Sequence, residues 1–189
     1  MSESYRCFVA VDLEDGGIVE KVKSFQEALA RTGNPMKLVE PENLHFTLKF
    51  LDEVPLAKIE SIRKALSSIS FKPFDVEVKG VGYFPGGGRV NVVWVGVGRG
   101  YEELKDIYEK VEAKLSGLGF ARDPRGFTAH LTVSRVKSIH DRAKLFELID
   151  RWRGYTFGEY RVDRVKLKRS VLTPRGPVYS DLHVVEASR

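Results

Sequence analysis

Two short segments of the chain repeat one pattern, and that repeat restricts its architecture more than any other feature. His45-Phe46-Thr47-Leu48-Lys49-Phe50 and His130-Leu131-Thr132-Val133-Ser134-Arg135 each read His, apolar, Thr, apolar, and they stand 85 residues apart in a chain of 189. Side chains on a strand alternate between its two faces. His45 and Thr47 therefore project together, while Leu44, Phe46, Leu48 and Phe50 project oppositely into a core. His130, Thr132 and Ser134 share one face of the second copy, and Leu131 and Val133 the other. A separation near half the chain implies duplication. The expectation is one bilobal domain over residues 1–189, built from two pseudo-symmetric halves with one His-x-Thr strand each.

The remaining periodicities suit that plan. Tyr5 to Leu13 alternates as a strand, and Ile18, Val22, Phe25 and Leu29 recur at helical spacing until Thr32-Gly33-Asn34-Pro35. Leu44 to Leu51 reads as a strand, and Pro55 opens a helix with the stripe Leu56, Ile59, Ile62, Leu66 and Ile69. Phe74 to Val78 and Val90 to Val97 alternate around a turn at Pro85-Gly86-Gly87-Gly88. A helix from Leu104 to Leu118, the strand His130 to Val136 and a helix through Leu145 to Trp152 follow, the last with capping-box spacing at Ser138 and Asp141. Strands near 157–159, 162–172 and 178–185 complete the chain. Helices do not alternate one-to-one with strands, which favours an α+β fold with antiparallel sheets.

Composition narrows the function. Hydrophobic residues at 42% and charged residues at 30% describe a folded protein, and no apolar run approaches the ~18 residues that span a bilayer. The opening residues are polar and acidic where a signal peptide is basic and then apolar, so a cytoplasmic location is expected. One Cys excludes an intramolecular disulfide. Asn (three) and Gln (one) are scarce beside Lys, Arg and Glu, which fits a thermophilic source. Between Arg151 and Arg175 stand eight basic residues and two acidic ones, a surplus larger than the +5 of the whole chain. Such a segment is expected to attract polyanions in a salt-sensitive way. Within it Arg164, Lys166 and Lys168 share one face of a strand and are candidate contacts for the phosphates of such a polyanion.

Paired histidines carry the chemistry. An imidazole titrates near neutral pH, so two can serve as one base and one acid. Thr hydroxyls donate to anionic oxygens without adding charge. Between such groups a phosphodiester is cleaved without metal, one His taking a proton from water and the other giving one to the departing ribose oxygen. A lone His-x-Thr is ordinary; two copies with matched alternation are not. A zinc site on the same histidines needs a third ligand from His140, His183, Cys7 or a carboxylate, and none stands at recognisable ligand spacing. No metal or cofactor is expected. Tyr83, Phe84, Trp94 and Tyr179 are core aromatics or stacking faces for a base.

Beyond the paired motif, several segments in order resemble the 2H phosphoesterases, and within them the RNA 2′,3′-cyclic phosphodiesterases also called 2′-5′ RNA ligases. They are Arg6-Cys7-Phe8-Val9-Ala10-Val11-Asp12-Leu13, residues 41–51, Phe84-Pro85 with 89–94, Phe127-Thr128-Ala129-His130-Leu131-Thr132, and residues 170–179. The resemblance implies two antiparallel-rich sheets forming a concave cleft, with helices outside. It implies hydrolysis of an RNA 2′,3′-cyclic phosphate to a 2′-phosphate, with reversible 2′-5′ joining of ends such as tRNA halves; a monomer is expected. It assigns catalysis to His45 and His130, with His45 protonating the leaving 3′-oxygen, and phosphate binding to Thr47, Thr132 and Arg135. Ala129 departs from the Pro that many relatives have there. Arg135 lies an odd number of residues from His130, so it reaches the pocket only if a bulge or the strand's end near Ser134 turns it back. Two other readings stay open: an RNA-binding module without turnover, and a related enzyme acting on a small cyclic nucleotide or an ADP-ribose cyclic phosphate.

Overall fold

Alternating and helical stripes resolve into nine strands and four helices in the computed structural model, which describes residues 3–189. In chain order these are β1 (Ser4–Asp12), α1 (Gly16–Ala30), β2 (Met36–Leu38), β3 (His45–Pro55), α2 (Leu56–Ser67), β4 (Phe74–Gly86) and β5 (Arg89–Val97). Then follow α3 (Tyr101–Ser116), β6 (His130–Val136), α4 (Arg142–Trp152), β7 (Thr156–Val162), β8 (Arg164–Thr173) and β9 (Gly176–Glu186). The three residues of β2 are too few for an alternation to show in sequence. Helix α4 starts later than the Ser138 spacing suggests. The Asn34 side-chain oxygen accepts from the N–H groups of His140 and Asp141 and holds that segment as a loop. The cap is Asp141, which accepts from Lys144 N at 3.0 Å.

Every strand pairing is antiparallel, and the order is β7-β4-β5-β6-β3-β1-β8-β9, with β2 also on β6. The two His-x-Thr strands, β3 and β6, lie at the centre with three strands beyond each. Their junction is a single pair, Phe46 with Leu131. Hydrogen bonding thus joins two four-stranded halves, with β2 added on β6, into one curled nine-stranded sheet, where two sheets are expected. Helices cover its outer face: Phe25 of α1 packs on Trp152 of α4 and Phe157 of β7, and Ile62, Leu66, Leu104 and Leu115 of α2 and α3 are buried in the same core. The concave face is left for the cleft. Strand β1 is buried on both sides from Cys7 to Val11, because Phe8 on the concave side lies under His45 and Tyr179.

Both His-x-Thr strands carry a bulge at the same place. In β3, Val9 and Ala10 of β1 face Lys49 and Thr47, which leaves Leu48 over. In β6, Val93 and Trp94 of β5 face Ser134 and Thr132, which leaves Val133 over. An extra residue shifts the strand's parity. Leu48-Lys49 and Val133-Ser134 are consequently buried as consecutive pairs, and Phe50 and Arg135 emerge on the concave side. Polar groups from the helices hold each bulge. Gln26 of α1 donates to Val133 O at 2.8 Å and to Val39 O at 2.9 Å. Lys49 Nζ donates to Glu112 of α3 at 2.9 Å and to Ala121 O at 2.8 Å.

Candidate active site

The concave face encloses a cavity of about 700 Å³ lined by His45, Thr47, His130, Thr132, Arg135 and Tyr179. The bulge after Thr132 is what brings Arg135 to this wall. The two imidazoles are held alike. His45 Nδ1 lies 2.7 Å from Asn43 O, and His130 Nδ1 lies 2.7 Å from Thr128 O, in each case the carbonyl two residues earlier. A carbonyl only accepts, so each Nδ1 carries the proton and each neutral ring keeps its lone pair on Nε2. His45 Nε2 accepts from the Thr47 hydroxyl at 2.9 Å. Aromatic rings wall both sides: Phe8 and Tyr179 at 5.0 and 5.5 Å from His45, and Phe84 edge-on at 5.0 Å from His130. Trp94 backs Phe84, while Tyr83 packs on Phe146 of α4 as a core residue.

Burial pushes both imidazoles below their ordinary pKa. For His45 desolvation dominates; the Asn43 hydrogen bond and the Asp12 carboxylate work upward, and Lys168 and His130 downward. For His130 desolvation again leads, opposed by the Thr128 hydrogen bond and aided by Arg135 and Arg125. Between these depressed values and about 6.5 the unfolded chain binds more protons than the folded one, so stability rises with pH in that window. Denaturant unfolding at pH 5 and pH 7 should show the wild type weaker at pH 5. A His45→Gln/His130→Gln variant should show a smaller difference, and an equal one would contradict the burial effect.

The basic segment 151–175 behaves differently from its sequence sum. Lys166 and Lys168 are buried among carboxylates from distant strands: Lys166 Nζ lies 3.0 Å from Asp12 and 3.1 Å from Asp181, and Lys168 Nζ 2.6 Å from Asp12. For Lys166 burial works against the charge, but the hydrogen bonds that it donates to Asp12 and Asp181 carry its pKa well above the usual ammonium range. Desolvation pushes Asp181 up, and the two ammonium groups more than reverse that. Arg164 reaches Glu14 and Asp163, and Arg161 reaches Asp75. The expected RNA contacts at Lys166 and Lys168 are therefore replaced by a buried ion cluster beside His45, whose Cα partner across β1–β3 is Asp12. Arg164 lies outside the cavity lining. Tyr179 alone of the four lines it. Among the described residues, Arg6, Lys37 and Arg175 line the cavity with Arg135 and meet no carboxylate within ion-pair distance. Sequence reasoning missed Arg6, Lys37 and Arg175, since no local pattern marks them. His140 and His183 bond to Ser138 and Ser67, away from the cavity. Among the described residues no group of three His, Cys, Asp or Glu is arranged to hold a metal ion, and no helix is long and apolar enough to cross a membrane.

Known proteins resemble this chain over most of its length. The family model described as LigT like phosphoesterase matches residues 13–94 and 96–179, so that each stretch contains one His-x-Thr segment. The RNA 2′,3′-cyclic phosphodiesterase of Archaeoglobus fulgidus is 45% identical over 181 residues, covering 96% of this chain and 99% of its own. That of Methanothermobacter thermautotrophicus is 40% identical over 181 residues, covering 95% and 97%. Among solved structures, TT0787 of Thermus thermophilus superposes with a TM-score of 0.80 at 28% identity, covering 96% of this chain and 97% of that one. E. coli LigT complexed with 3′-AMP gives 0.79 at 22% identity, covering 99% and 100%, a likeness of fold.

Proposed function

Because the chain belongs to the LigT-like phosphoesterase family, we propose that it opens the 2′,3′-cyclic phosphate at the end of an RNA strand to a 2′-phosphate, with His45 and His130 as the proton carriers. The observation that carries this reading is that both rings line one cavity with Nδ1 tied to the main chain, which leaves Nε2 for chemistry. The names of the archaeal relatives supply the substrate class.

Water attacks phosphorus as His130 Nε2 takes its proton. The bond from phosphorus to O3′ breaks, and His45 Nε2–H delivers a proton to O3′. His130 suits the base role because it is the less enclosed of the two and faces solvent. His45 suits the acid role because the Asp12 carboxylate favours its charged form. The anionic substrate itself raises the proton affinity of both rings. Thr47 and Thr132 donate to the non-bridging oxygens, and the Arg135 guanidinium balances their charge. A 5′-hydroxyl in the place of water, losing its proton to the same base, gives a 2′-5′ linkage between two RNA ends such as tRNA halves.

An RNA ending in a 2′,3′-cyclic phosphate, incubated with the protein in excess EDTA, tests the proposal. The expected product carries a 2′-phosphate. A 3′-phosphate product would reverse the assigned leaving group, and loss of turnover in chelator would remove the two-histidine mechanism.

A further inference from the structure

The cations left free by the ion-pair network form a path. Beside the catalytic cavity lies a second depression of about 200 Å³, bounded by Arg89, Lys137 and Arg142, with no Asp or Glu in its lining. The two hollows follow one another along the β5–β6 pair. Val92 and Arg135, Cα partners across β5–β6, line the first, and their chain neighbours Asn91 and Val136 line the second. Arg89, Lys137 and Arg142 are all exposed, and among the described residues none meets a carboxylate within ion-pair distance. Arg142 is fixed in place by donating to Gly88 O and by lying over the Phe146 ring at 4.7 Å.

On the opposite rim, where Arg6 of β1 and Arg175 of the β8–β9 turn also line the cavity, Phe50 and Leu172 add an apolar edge with 59% and 69% of their surface in solvent. Phe50 and Arg135 occupy the same place in the duplicated unit, five residues after the histidine and turned inward by the same bulge. At this equivalent position one half of the cleft carries an apolar ring and the other a guanidinium. That difference gives a symmetric scaffold a direction.

We infer that a single-stranded RNA leaves the active site over the β5–β6 side, its upstream phosphates lying on Lys137, Arg89 and Arg142 while the terminal base rests against Phe50 and Leu172. This rests on the function proposed above, and it makes an oligonucleotide with a cyclic end the preferred substrate over a cyclic mononucleotide. Phosphates spaced along a flexible strand suit a row of separated, unpaired cations, and bases suit an exposed aromatic rim.

The test compares kcat/KM for 2′,3′-cyclic AMP and for an octanucleotide ending in a cyclic phosphate. Wild type should favour the octamer, and the Arg89→Gln/Lys137→Gln/Arg142→Gln variant should lower the octamer-to-mononucleotide ratio about tenfold or more. The Arg89→Gln/Lys137→Gln pair, which spares the Arg142 anchor, should lower it less but in the same direction. Arg99→Gln/Arg151→Gln/Arg161→Gln removes the same charge from other surfaces and should leave the ratio as it was. Equal losses on both substrates, an unchanged ratio in the first variant, or the same fall in the control would overturn the path. Absence of turnover by wild type on both substrates would instead strike down the proposed activity. Binding of an octamer bearing a terminal 2′-phosphate then decides the path: the triple variant should lower the slope of log Kd against log salt by about 2, at roughly 0.7 per charge, and an unaltered slope rejects it.

Discussion

Replacing His130 or His45 by alanine should lower kcat on a cyclic-phosphate RNA by about 10²–10⁴-fold, the range supplied by a positioned acid or base. In the proposed mechanism the two rings act on one phosphorus, so the double variant should fall little below the worse single one. Each ring is held by a carbonyl of the segment that leads into its strand, and truncating it leaves that carbonyl at the cleft, where water replaces the lost donor. Fold and salt-dependent RNA binding should therefore survive while turnover collapses. Rapid-quench measurement of kcat, with circular dichroism as the control for folding, decides the matter. A folded His130→Ala protein retaining a tenth of the wild-type kcat would end the case for that ring as the base.

The largest loss of stability should come from the outer side of the same strand. Lys49 and Glu112 are both buried, and the second Glu112 oxygen has no partner, so that carboxylate depends on Lys49 alone. Removing one partner strands the other charge in a dry core. Lys49→Met or Glu112→Leu should each cost about 3–5 kcal/mol. The double variant should recover most of that loss, since an apolar pair of similar volume fills the space without a desolvated charge. Urea unfolding of the three variants gives the cycle. Single losses below about 1 kcal/mol would mean that water reaches the pair. Because Lys49 anchors the bulge that follows Thr47, the singles should also blur the orientation of Phe50, which a shift in KM would report more than one in kcat.

The His-x-Thr strands and the helical stripes were legible because they are local: alternation fixes the faces of residues 45–48 and 130–133, and the 3.6 period fixes α1 to α4. What escaped was set by partners far along the chain. No spacing shows that Asp12 lies against Lys166, 154 residues on, so a sum of charges over 151–175 looked like a free cationic face. The bulges could be argued only backwards, from the need to turn Arg135 inward. Their cause is tertiary, for Gln26 and Glu112 reach them from helices that the sequence places elsewhere. The one-pair junction at Phe46 and Leu131 was equally hidden, since the pattern of each strand says nothing about its neighbour.

The tie from each imidazole to a main-chain oxygen bears on how the enzyme meets changes of acidity. A peptide oxygen neither gains nor loses a proton across the working range, unlike the carboxylate that orients histidine in many hydrolases. The donor–acceptor order of both rings is therefore fixed for as long as the backbone is folded, and no third ionisation is needed to keep either imidazole aligned. In the proposed mechanism acid should silence this site by filling the one lone pair that must stay open, that of His130 Nε2.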